Sequence, residues 1–261
     1  MSNCGENLAG TGALLRAGIN ILVFGDYSRM LSHVARRWTA MLKSAKQKPV
    51  GVAISGGRSA GDLFKAVVSE TLNEIVKDGR ISEALKRTHF FWADERCVPP
   101  DEEASNFLIA NRNLFQPLKI KSPNIHRIRG EINPELAAKQ AEDELLGLGL
   151  DESDGIPVLD LVILGMGEDG HVASLFPGEL KNDPDVINSP QIYRPVVAPK
   201  PPPQRVTLNY KPIIKAKRVW VVITGENKQQ ALSDSLPPAF RTPLGVILKS
   251  RRQTHIFYHQ A

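Results

Sequence analysis

From Ile19 onward, short apolar runs alternate with amphipathic stretches, and this alternation organises most of the chain. Ile19–Phe24 predicts a strand, and Met30, Val34, Trp38, Met41 and Ala45 then recur at helical spacing, giving one face to bury. Pro49 punctuates the end of that helix, and Val50–Ser55 predicts a second buried strand. After Gly56-Gly57 a helix turns Leu63, Phe64, Val67, Val68, Leu72 and Ile75 inward. Further strands are predicted at His89–Ala93, Ile125–Ile128, Leu159–Leu164, Arg218–Thr224 and Thr254–Tyr258, the last closing the sheet. Ser105 is placed to cap a helix running through Phe115, Pro134 suits the first turn of another that Gly147 and Gly149 end, and one more opens near Asn227.

Strand-length runs alternating with helical ones are the pattern of βα units. The expected fold class is therefore α/β, a mostly parallel central sheet flanked by helices on both faces in the Rossmann-like manner. Residues 19–261 read as one domain preceded by a mobile segment, 1–18. Pro195–Pro203 reads as a stiff loop rather than an interdomain linker, because Val206-Thr207-Leu208 follows so closely.

Composition adds exclusions. With 42% hydrophobic and 23% charged residues the chain is neither disordered nor fibrous. A net charge of +5 favours anionic partners in a general way. The cations are scattered, however, and the basic run Lys249–Arg252 has no interleaved aromatics to stack on bases, so nucleic acid is not expected as a partner. Cys4 and Cys97 imply no disulfide framework and suit a reducing cytosol. The start of the chain lacks a basic-then-apolar leader, and no apolar run approaches the roughly 20 residues that span a bilayer. A soluble cytoplasmic protein with no membrane partner is expected.

Four segments carry candidate chemistry. In S-G-G-R-S-A-G (Ser55–Gly61) the Gly56 and Gly57 amides, a helix N-terminus and the Ser59 hydroxyl suit a phosphate, though a tight βα turn needs the same glycines. G-R-S-A-G also matches a nucleophile elbow with Ser59 as nucleophile. No oxyanion segment precedes it, and His255 and His259 lack a clear partner acid, which counts against an esterase.

In F-W-A-D-E-R-C-V-P (Phe91–Pro99), Arg96 can clamp a phosphate while Asp94 or Glu95 orients it or accepts from sugar hydroxyls. A solvated surface salt-bridge cluster is the competing reading there, and Cys97 reads as packing.

G-M-G-E-D-G-H-V-A-S-L-F-P-G (Gly165–Gly178) contains a bare G-x-G-x-x-G. Pro177 cuts off the long helix a dinucleotide site needs, and no acidic residue ends a strand about twenty positions on, so no nicotinamide cofactor is expected. His171 stands out as a proton-transfer group at the carboxyl end of a strand, with Glu168 and Asp169 just upstream. No ligand spacing suggests a metal. In P-K-P-P-P-Q-R-V-T (Pro199–Thr207), Lys200 and Arg205 are held on a rigid loop, to meet phosphate or simply solvent.

Taken together and in this order, with Ser105-Asn106 after WADERCVP and TGENK after PPPQRVT, these segments resemble the 6-phosphogluconolactonase family. That family shares its fold group with glucosamine-6-phosphate deaminases and ribose-5-phosphate isomerases. The resemblance runs from about Ile19 to Pro238, and GEDGH-x-ASLFPG is its most specific string. It implies a metal-independent, cofactor-free hydrolase that opens a phosphorylated sugar lactone, with His171 deprotonating the attacking water. By position, Arg96, Lys200 and Arg205 would hold the 6-phosphate. Gly56, Gly57 and Ser59 would contact substrate, and Asp169 would orient His171 or a hydroxyl. A monomer or weak homo-oligomer is expected.

The chain departs from the family pattern at Arg58-Ser59-Ala60, where Ser-Thr-Pro is usual, and at Val172, where Thr is common. The end, Ile256–Ala261, also lacks an acidic residue often present in the family. An amino-sugar phosphate deaminase would continue I-A-F-N-E-P after the histidine, whereas this chain continues V-A-S-L-F-P-G. A sugar-phosphate sensor would carry a helix-turn-helix, for which the residues before Ile19 are too few.

Overall fold

Residues 18–57 and 59–260 are described by the structure, a computed structural model. The expected N-terminal segment and Arg58 thus lie outside the described residues, Gly18 excepted. The strands are β1 (Ile19–Phe24), β2 (Val50–Ile54), β3 (Thr88–Trp92), β4 (Asp94–Arg96), β5 (Glu152–Ser153), β6 (Ile156–Pro157), β7 (Leu161–Gly165), β8 (Tyr193–Val197), β9 (Gln204–Leu208), β10 (Val219–Thr224) and β11 (Thr254–His259). The α-helices of five residues or more are α1 (Tyr27–Lys43), α2 (Ala60–Lys77), α3 (Arg80–Lys86), α4 (Asn106–Ala110), α5 (Pro134–Leu146), α6 (Pro177–Asn182), α7 (Tyr210–Lys215), α8 (Gln229–Ser235) and α9 (Pro243–Ser250).

Six strands form the parallel central sheet in the order β1-β11-β10-β7-β2-β3. All of β2 is buried, which is why it reads as a continuous apolar run rather than an alternating one. Asp26 caps α1 by accepting from the Arg29 amide at 2.7 Å, and Met30, Val34, Trp38 and Met41 are buried as their spacing predicts. Ala45 falls beyond the end of that helix. On α2, Leu63, Phe64 and Val67 turn inward, but Leu72 is 47% exposed, against expectation. Among the described residues no helix is long and apolar enough to cross a membrane.

The chain proceeds from β2 to β3 on one side and from β7 through β10 to β11 on the other, so the strand order reverses between β2 and β7. The crevice outside the carboxyl ends at such a reversal is where open α/β sheets take ligands.

A second, antiparallel sheet, β4-β9-β8, begins one residue after β3. It corrects the reading of Pro195–Pro203 as loop throughout: Pro195 lies within β8, and only the residues after Val197 form the loop. A proline is tolerated there because β8 is an edge strand. Ile125–Ile128 makes a single bridge, Ile125 to Phe90, rather than a strand. The helix expected from Ser105 to Phe115 is capped by the Ser105 hydroxyl but passes into a π-helical turn at Asn111–Phe115. Finally, β11 lies between β1 and β10, leaving β1 at the edge.

Candidate active site

The loop after β7 is folded around His171. Gly167 donates its N–H to the His171 carbonyl at 2.9 Å, and a Cβ on Gly167 would lie 2.1 Å from the imidazole Nδ1. Gly170 has φ +79 and would meet Thr242 at 2.5 Å if it carried a side chain. These glycines serve the loop itself, and the helix that follows, α6, has six residues. A dinucleotide site is not built here.

Asp169 fixes the imidazole. Its Oδ1 lies 2.5 Å from His171 Nδ1 and accepts the His171 backbone N–H at 3.2 Å. With Nδ1–H donating to the carboxylate, the neutral ring keeps its lone pair on Nε2. Partial burial pushes the Asp169 carboxyl upward, but electrostatic attraction to His171 and the hydrogen bonds from its ring and backbone prevail and hold it below the usual carboxylate value.

Contacts lead from His171 to the arginines. The Phe176 ring lies 4.9 Å from the imidazole, centroid to centroid, and the Arg205 guanidinium sits 5.8 Å over Phe176. Arg205 pairs directly across β9–β4 with Arg96. It is buried, and donates to the carbonyls of Pro202 at 3.1 Å and Lys200 at 3.3 Å and to Ser174 Oγ at 3.4 Å. Burial and the nearby Arg96 charge lower its pKa, with Asp94 opposing them. Arg96 donates from Nη1 to the Ala104 carbonyl at 2.7 Å. Lys200 is exposed on the loop that Arg205 braces.

Asp94, expected at the substrate, is 5% exposed and accepts from Ser174 Oγ at 2.7 Å. Through Oδ2 it supports Ser174, and its charge lies near Arg205. Glu95 is also buried: Oε1 accepts the amides of Arg96 at 2.7 Å and Asn106 at 2.8 Å, and Oε2 accepts the Phe107 amide at 2.7 Å and Ser105 Oγ at 3.1 Å. Burial pushes its carboxyl up to about 7 against the pull of those amides. Ser174 and Phe176 lie within the ASLFPG string, but their contacts depend on β9 lying beside them and could not be read from it.

The glycine turn follows β2 at its carboxyl end, on the side of the strand-order reversal. Gly57 has φ +103 with open space where a side chain would stand, while a Cβ on Gly56 would lie 1.9 Å from Asn106 Oδ1. Ser59 precedes α2 in a right-handed helical conformation and makes no capping bond, so its hydroxyl is free of that task. This is not the strained geometry of a nucleophile elbow. Moreover, His255 lies at the opposite, amino end of β11, hydrogen-bonded to Arg37 at 2.8 Å. Among the described residues no group of His, Cys, Asp and Glu is placed to hold a metal ion.

A histidine held by an aspartate, at the reversal point of a parallel sheet and linked through Phe176 to an arginine pair, marks the candidate site of this α/β protein. The family model for glucosamine-6-phosphate isomerases/6-phosphogluconolactonase matches residues 25–256, and the chain belongs to that family. It is 33% identical over 220 residues to a 6-phosphogluconolactonase of Haemophilus influenzae, covering 83% of this chain and 85% of the relative. A 6-phosphogluconolactonase of Treponema pallidum is 31% identical over 211 residues, 81% of each chain. Among solved structures, 6-phosphogluconolactonase from Thermotoga maritima superposes with a TM-score of 0.74 at 27% identity, covering 93% of this chain and 100% of that one. The enzyme from Trypanosoma brucei gives 0.78 at 25% identity, covering 92% and 95%.

Proposed function

We propose that the chain hydrolyses 6-phospho-D-glucono-1,5-lactone to 6-phosphogluconate, the lactone-opening step of the oxidative pentose phosphate route, with His171 as general base. The observation that carries the catalytic assignment is the 2.5 Å contact between His171 Nδ1 and Asp169, which leaves Nε2 as the acceptor. In this reading Nε2 takes a proton from water as the oxygen attacks the lactone carbonyl. The tetrahedral intermediate collapses by breaking the bond to the ring oxygen, which receives the proton back from the imidazolium. Asp169 holds the ring and stabilises its charged form.

Arg96 and Arg205, brought together on the small sheet, and Lys200 on its loop suit the 6-phosphate. The Gly56 and Gly57 amides and the Ser59 hydroxyl, at the start of α2, suit the remaining substrate oxygens. The reaction draws on acid–base groups of the chain alone and calls for no cofactor. A cytoplasmic location and a monomer or weak homo-oligomer belong to the same reading.

The test compares wild type with His171→Ala on freshly made lactone, following acid release above the spontaneous rate. Loss of most of the enzymatic rate in a folded variant supports the assignment. A fully active variant moves the base elsewhere, and an inactive wild type removes the substrate assignment. Glucosamine 6-phosphate, assayed in parallel, separates the isomerase branch of the family.

A further inference from the structure

A cavity of about 550 Å³ opens at the β3 edge of the sheet, bordered by the helical segment that starts with α4 and the chain leading to α5. Its size is in the range of small-molecule sites, roughly 300–1,000 Å³. None of its lining residues belongs to the His171 site. The half-buried Phe107, Ile125 and Ile132 supply an apolar wall. Ser122, Ile125 and Glu144 are shared with an adjoining cavity of about 420 Å³, so there is room for more than one ring.

The charges around it are unequal. Both carboxylates are engaged: Glu131 accepts from the two Nη atoms of Arg127 at 2.8 and 2.6 Å, and Glu144 lies 3.0 Å from His126 Nδ1. That pairing also holds the Arg127 guanidinium 5.8 Å over the Phe107 ring. Lys119 and Arg129 make no hydrogen bond or ion pair among the described residues, although the charge of Arg129 joins that of Arg127 in acting on Glu131, so the cations outnumber the carboxylates by three to two.

The backbone departs from regular structure in the same place. The π-helical turn Asn111–Phe115 puts both its end residues on the wall, and such turns recur at functional sites. Lys119, at φ +51, is the left-handed cap that ends the short helix Gln116–Leu118, with its N–H on the Gln116 carbonyl.

The geometry points to a second ligand site here, for a small organic anion with one or two aromatic rings: the rings lie against Phe107, Ile125 and Ile132, and the anionic group is met by Arg129 and Lys119. The assignment is independent of the lactonase reading.

The test is a fluorescence titration of the full chain with 8-anilinonaphthalene-1-sulfonate, a two-ring sulfonate. Saturable binding of one probe per chain is expected. Arg129→Glu, on the exposed rim, weakens it by about fivefold or more through reversal of the local charge. Ile132→Trp, which fills the cavity, abolishes it. Cooperative thermal unfolding must persist in each variant, and Arg129→Glu carries the test alone if Ile132→Trp does not fold. No saturable binding, affinity unchanged by the substitutions, or displacement of the probe by 6-phosphogluconate would each overturn the proposal.

Discussion

Arg96 and Arg205 stand directly opposite each other across the β4–β9 pair, so their side chains leave the same face of the small sheet. Like charges in that position repel, and the nearby carboxylate of Asp94 is already bonded to Ser174. A bound phosphate dianion would reconcile the two guanidinium groups. Each charge-assisted hydrogen bond to it is worth about 1.5–3 kcal/mol. Arg96→Gln is therefore expected to raise KM for the phosphorylated lactone by roughly 10- to 100-fold. Hydrolysis of unphosphorylated gluconolactone should change little. Equal losses on both substrates would show that Arg96 does not read the phosphate.

Asp169 acts through the imidazole. In Asp169→Asn the amide oxygen can still accept from Nδ1–H, but the negative charge that favours the imidazolium is gone. Since general-base catalysis as a whole contributes about 10²–10⁴-fold, part of that factor should be lost from kcat while KM stays close to wild type. Steady-state kinetics of the variant check this. An unchanged kcat would mean that Asp169 merely shapes the loop.

Gly167→Ala tests the loop more directly. The added methyl would lie 2.1 Å from His171 Cε1 and 2.9 Å from Asp169 Oδ1, so the imidazole must move. A misplacement on the order of 1 Å can cost about 10² in rate. The expected outcome is a cooperatively folded protein with kcat reduced by about that factor. Wild-type kcat in Gly167→Ala would mean that the position of the ring does not limit the reaction.

The parts of this architecture legible in the sequence are those whose cause is local. Ile19–Phe24 and Val50–Ser55 could be read as strands because each is a short apolar run, and the loop around His171 stood out because glycines and acidic residues crowd it. Tyr193–Val197 was hidden because Pro195 argues against a strand until the neighbouring sequence shows it to be an edge. The position of β11 between β1 and β10 is a property of strand order, which no single segment encodes. Asp94 could be singled out because its charge follows a strand, whereas its partner Ser174 lies 80 residues away and was not legible.

The contact of Asn106 with Gly56 is another such long-range relation. Asn106 is buried and donates from Nδ2 to the Asp94 carbonyl at 2.7 Å, while its Oδ1 occupies the space a Gly56 side chain would need. Gly56→Ala should therefore destabilise strongly. In an Asn106→Ala background the clashing amide is gone, so the double variant should lose less than the sum of the single ones. Coupling of about 0.5–3 kcal/mol is usual for residues in contact. Denaturant unfolding of the four proteins measures it, and strict additivity would contradict the contact.

Far from the crevice, His255 sets an acid limit on stability. Its Nε2 lies 2.8 Å from an Arg37 nitrogen that can only donate, so the imidazole must be neutral to accept. Burial first, then the charges of Arg37 and His33, pull its pKa from 6.5 down to about 4. Because the folded value is depressed, this group's contribution is fully present above the unfolded pKa of 6.5 and is lost as pH falls from there through about 4. With the ring only partly shielded from solvent, the loss should be about 1–2 kcal/mol. His255→Gln keeps an amide oxygen to accept from Arg37 and has no proton to gain. Its stability should fall less than that of wild type between pH 7 and pH 4.5, by roughly this amount. Parallel acid limbs for the two proteins, measured by denaturant unfolding across that range, would place the acid sensitivity elsewhere.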